Sequence, residues 1–78
     1  MEERIIKEMK KKKIGINGMW MFQEYNPFYW DLNQREREEF DNCIKKMLKA
    51  GVLEEIKDNT AVHYKLTDVG YRVLYSIN

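Results

Sequence analysis

The stretch NQREREEFDNCIKKMLKAG, residues 33 to 51, decides how the rest of the chain is read. Its apolar residues Phe40, Cys43, Ile44, Met47 and Leu48 recur at three- and four-residue intervals, the spacing of one face of an α-helix. Asn33 followed by Glu36 resembles a capping box with Asn in place of Ser or Thr, in which each side chain satisfies a backbone donor of the first turn. Gly51 tolerates the positive φ with which a helix turns sharply into a strand. One helix over 33–50 is therefore predicted. Its outward stripe holds Arg35, Glu38, Glu39, Asn42, Lys45, Lys46 and Lys49, four cations against two anions. Glu36, Glu38, Glu39 and Asp41 radiate to different faces, so they form a solvated half-helix rather than a metal or acid/base cluster.

Downstream, Val52 to Lys57 reads as a strand, Asp58-Asn59-Thr60 is turn chemistry, and Ala61 to Leu66 alternates. Val62, Tyr64 and Leu66 fall on one side and Ala61, His63 and Lys65 on the other, the polar side. The expectation is a two-stranded antiparallel hairpin over 52–66 that must pack against helices to be stable. Thr67 caps a last helix over 67–77, with Val69, Val73 and Leu74 inward. Upstream, residues 1–13 read as a helix with Ile5, Ile6 and Met9 inward and Gly15 as its terminator. Lys10 to Lys13 are either its solvated, dipole-favoured end or an anion-contacting patch.

Residues 14–32 carry turn signals at Asn17-Gly18 and Asn26-Pro27, six of the chain's ten aromatics, and no Lys or Arg. Met19 to Tyr25 fits a short strand or one helical turn equally. The segment is read as an aromatic-rich connector whose rings are core filler, a self-association or partner surface, or a base-stacking platform. The core is expected from Ile5, Met9, Phe40, Ile44, Met47, Leu53, Tyr64, Leu66 and Val73. That leaves rings over, so Trp20, Phe22, Tyr25, Phe28, Tyr29 and Trp30, extended by Tyr71 and Tyr75, are the candidate interface. A homodimer or a tight partner complex would bury at least one of Trp20 and Trp30.

At 78 residues the chain makes one domain, and 35% charged residues with a net charge of +1 argue against a generic polycation. One cysteine, Cys43, excludes an internal disulfide, and with the single His63 it cannot complete a tetrahedral zinc set. No phosphate loop surrounds the glycines, and no serine precedes Ser76, so no catalytic constellation, metal or cofactor is expected. The longest apolar run is four residues, Met19 to Phe22, and Glu2 and Glu3 open the chain without an apolar stretch. These features lead to the expectation of a soluble cytoplasmic domain, not an enzyme and not in a membrane.

The local strings add a resemblance. Met47-Leu48-Lys49-Ala50-Gly51-Val52-Leu53 resembles the L-E-x-x-G-L-I passage from recognition helix to first wing strand in bacterial winged-helix regulators. Leu66-Thr67-Asp68-Val69-Gly70 is similar to the L-T-x-x-G after the wing in regulators of the multiple-antibiotic-resistance and phenolic-acid-response types. Together they cover residues 33 to about 75 and imply a winged helix-turn-helix, mostly α with a small antiparallel hairpin. The resemblance further implies duplex DNA binding and transcription regulation, with helix 33–50 in the major groove and 57–61 as the wing. Asn33, Gln34, Arg35 and Arg37 include the types that read adenine and guanine edges. The candidate contacts are Asn33, Gln34, Arg35, Asn42, Lys45, Lys46, Lys49, Lys57 and Lys65. The alternative is a protein–protein module of the same fold, using residues 19–30 and no DNA.

Overall fold

The computed structural model describes residues 1–75 as α1 (Glu2–Lys11), β1 (Met19–Trp20), α2 (Phe22–Trp30), α3 (Gln34–Lys49), β2 (Leu53–Lys57), β3 (Val62–Leu66) and α4 (Asp68–Tyr75). The fold is mostly helical with a small antiparallel sheet in the order β1-β3-β2. No helix among the described residues is long and apolar enough to cross a membrane.

α3 begins and ends by local rules. Asn33 Oδ1 accepts the Glu36 N–H at 2.8 Å while Glu36 Oε1 accepts the Asn33 N–H at 3.0 Å, which closes the capping box. At the other end Gly51 sits at φ 77, and the N–H groups of Val52 and Gly51 return to the carbonyls of Met47 and Leu48. That is a Schellman closure. Phe40, Cys43, Ile44 and Met47 are buried, as the stripe predicts.

α1 stops earlier than expected, at Lys11, and Gly15 is not its terminator. Lys13 itself adopts φ 57, with Ile14 N–H bonded to the Met9 carbonyl and Lys13 N–H to that of Lys10. The same Schellman geometry thus forms around a lysine, held by the burial of Met9 and Ile14.

The largest correction concerns residues 14–32, which are not a connector. They contain β1, which adds a third strand to the expected hairpin through Met19 opposite Lys65 and Trp20 opposite Tyr64. They also contain α2, with Pro27 inside it. An interior proline costs about 3 kcal/mol. Tyr25, Phe28 and Tyr29 offset it by packing their rings on Trp20, Phe40 and Tyr64 at centroid distances of 5.2–6.4 Å. Each such pair is worth about 0.5–1.5 kcal/mol beyond the area buried.

Two more expectations are corrected. His63 is 5% exposed, not solvent-facing, because β3 is the central strand and α2 starts directly over it. Val69 and Val73 are exposed, whereas Leu74 faces inward as expected, together with Gly70. Gly70 is the contact point since a Cβ there would lie 2.0 Å from the Val52 carbonyl oxygen. Only a glycine lets α4 come so close. Thr67 Oγ1 accepts the Gly70 N–H at 2.9 Å, the expected cap. Residues 76 and 77 of the expected last helix lie outside the described residues.

The core therefore joins Ile5, Met9, Phe40, Ile44, Met47, Leu53 and Leu66, as expected, to Ile14, Trp20, Tyr25, Leu32 and Leu74. Tyr64 is half-buried at its edge.

Candidate nucleic-acid interface

α3 turns Gln34, Arg35, Asn42, Lys45, Lys46 and Lys49 to solvent. Among the described residues, none of Arg35, Lys45, Lys46 and Lys49 makes an ion pair. Their charges are thus available to an anion. Lys45, Lys46 and Lys49 occupy the last two turns, and Arg35 lies about 21 Å from Lys49 at 1.5 Å per residue. Glu38, Glu39 and Asp41 are exposed between them.

Asn33 is not free to read a base, because its carbonyl oxygen is held in the capping box. Arg37 is also occupied. Its Nε donates to the Leu32 carbonyl at 3.1 Å and its guanidinium lies 4.7 Å from the Trp30 ring centroid. Both side chains are engaged at the three-residue passage from α2 to α3.

On the hairpin, Lys57 is exposed but 3.9 Å from Glu55. Lys65 is half-buried on the central strand, opposite Glu54 and 4.0 Å from its carboxylate, away from the hairpin tip. The tip is organised by Asp58, whose carboxylate accepts the N–H groups of Thr60 and Ala61 at 2.8 Å each and pairs with His63 Nε2 at 2.8 Å. Those bonds, that of Thr60 first, hold the Asp58 carboxyl well below the usual range. The other ring nitrogen, Nδ1, accepts the Phe22 N–H at 2.9 Å. His63 thus donates from Nε2 to Asp58 and caps α2 from Nδ1. Nothing in the spacing of Asp58 and His63 marks them beforehand.

Lys10 to Lys13 do not continue the α3 surface. Lys10 and Lys13 border Tyr71 and Tyr75 of α4, and Lys10 Nζ lies 5.5 Å from the Tyr75 ring centroid. The opposite, acidic end of α1 meets α3: Arg4 pairs with Glu36 at 2.6 Å, and Glu2 sits beside Glu39, Asn42 and Lys46. The Asn33 N–H is the main cause of the lowered Glu36 carboxyl, with Arg4 next.

The aromatic candidates divide. Trp20 and Tyr25 are core residues, which corrects their assignment to an interface; Tyr25 Oη also donates to the Val62 carbonyl at 2.6 Å. Trp20 carries a buried indole N–H without a partner among the described residues. Phe28 and Tyr29 are half-buried against that core, whereas Phe22 and Trp30 are exposed. Tyr71 and Tyr75 stack on each other at 4.6 Å, and Tyr75 Oη donates to the Ile14 carbonyl at 2.7 Å. They belong to the α1–α4 side and do not extend the α2 patch.

Compared with known proteins, the chain matches no protein-family model, no curated protein and no solved structure.

Proposed function

We propose that the chain is a winged helix-turn-helix domain that binds duplex DNA and acts as a small transcription regulator by occupying its site. The observation that carries this reading is α2 leading through three residues into α3, whose outward face bears four cations, unpaired among the described residues, beside Gln34 and Asn42. The hairpin β2–β3 follows α3 in the place of a wing, and α4 closes the sheet. In this reading Gln34, Arg35 and Asn42 approach base edges, while Lys45, Lys46 and Lys49 contact phosphates. Lys57 is the one hairpin cation near the tip. Asn33, Arg37 and Lys65 support the scaffold.

The carboxylates of Glu38, Glu39 and Asp41 keep non-specific attraction low, so binding rests on a small number of directed contacts. A mobility-shift titration on mixed-sequence duplex DNA at two salt concentrations tests the proposal. Retarded complexes that weaken steeply with salt support it. No complex at low salt contradicts it.

A further inference from the structure

Folding leaves Phe22 and Trp30 39% and 60% exposed although the rest of the α2 rings are drawn into the core. Both line one open groove, of about 380 Å³, between α2, the Phe40–Asp41 turn of α3 and β3. The half-buried rings of Tyr29 and Tyr64 complete its walls. Asp41 is the one charged residue of the lining; no Lys or Arg contributes to it. Exposed rings gathered in one concavity beside a carboxylate are not explained by the core or by α3's outward face.

We infer that this groove docks a lysine- or arginine-bearing segment of a partner protein, with the cationic head on Asp41 and the aliphatic stem across Trp30 and Tyr29. Three observations favour this occupant. The charge is complementary: the groove presents a carboxylate and the negative faces of several rings, and no cation is among its lining residues. Two of its rings already attract a guanidinium within the chain, Arg37 lying 4.7 Å from the Trp30 centroid and 6.0 Å from that of Tyr29. Finally, Asp41 also bears on the Tyr64 ring of the groove wall, whose phenol is pushed up by burial first and then by Glu55 and Asp41. A stacked nucleobase is disfavoured, since its phosphates would meet Asp41 with no cation among the lining residues.

The two tryptophans supply the readout. The indole N–H resonance of Trp30 reports the groove, and that of fully buried Trp20 is an internal control. The full chain is titrated by NMR with the peptide acetyl-Gly-Gly-Arg-Gly-Gly-amide and with its neutral citrulline counterpart. The arginine peptide is expected to shift Trp30 and the α2 amides saturably, at millimolar concentration, leaving Trp20 in place. Asp41→Asn should weaken that binding several-fold, and Trp30→Ala should abolish the α2 shifts while the Trp20 resonance shows the fold intact. Equal shifts with citrulline, no saturable shift, or saturation by a single-stranded oligonucleotide instead would each overturn the inference. So would a Trp30 shift that follows protein concentration alone, which assigns the groove to a second copy.

Discussion

His63 Nδ1 accepts the backbone N–H of Phe22 at 2.9 Å, so a side chain of β3 caps a helix that begins 41 residues earlier in the chain. Met21 offers α2 no side-chain cap of its own. The same imidazole reaches Asp58 at the hairpin tip. One buried ring therefore joins the start of α2 to the turn between β2 and β3. His63→Ala should destabilise the domain by about 1–3 kcal/mol, the range for losing a cap and leaving its donor buried. Hydrogen exchange should show α2 amides losing protection before those of α3. Uniform loss across both helices would contradict a specific role in holding α2.

The two Schellman closures respond oppositely to substitution. Lys13 holds φ 57 with a Cβ that this region penalises, and Gly51 holds φ 77 without one. Lys13→Gly should stabilise by about 0.5–1 kcal/mol once the added freedom of the unfolded chain is counted. Gly51→Ala should destabilise by about 1 kcal/mol or more. Urea midpoints of the two variants, compared with the parent, check both signs.

Alkaline pH should loosen the core around Tyr25. Burial, then Tyr64 and Glu55, push its phenol up to about 12 from 10.0. The unfolded chain thus releases this proton at lower pH than the folded one. The associated stability is fully present below pH 10 and is lost as pH rises towards 12. Burial raises Tyr64 and Tyr75 as well, which adds to the same trend. Thermal melts between pH 9 and pH 12 should show a falling midpoint in the parent and a shallower fall in Tyr25→Phe.

What the sequence makes legible here is what is decided within a few residues. Asn33 with Glu36, the Phe40–Met47 stripe, Gly51 and Thr67 are local signals, and each stands in the structure where its spacing puts it. α2 is illegible for the opposite reason: Pro27 speaks against a helix, and its cap lies on a distant strand. His63 alternates with apolar neighbours, but β3 is covered on both sides, so alternation does not separate inside from outside. On α4 the stripe of Val69 and Val73 scores well, while the true contact at Gly70 depends on an absent side chain that hydropathy does not count. The outward face of α3 is legible in its residues. Its separation from Lys10–Lys13 is a tertiary fact, whereas the occupation of Asn33 follows from the capping box itself and that of Arg37 from nearby Leu32 and Trp30.

If the outward face of α3 engages DNA, the salt dependence of binding must report it. Duplex affinity should be measured over a series of salt concentrations for the parent and for the variant with Lys45, Lys46 and Lys49 all changed to Gln. The variant should bind every sequence more weakly, with a slope reduced by about three phosphate contacts, roughly 2.7 in log affinity per log unit of salt. Arg35→Ala should instead keep most of the slope and relax sequence preference, at about 1–3 kcal/mol for one base contact. An unchanged affinity and slope in the triple variant would contradict the claim and leave α3's outward face without a role in DNA binding.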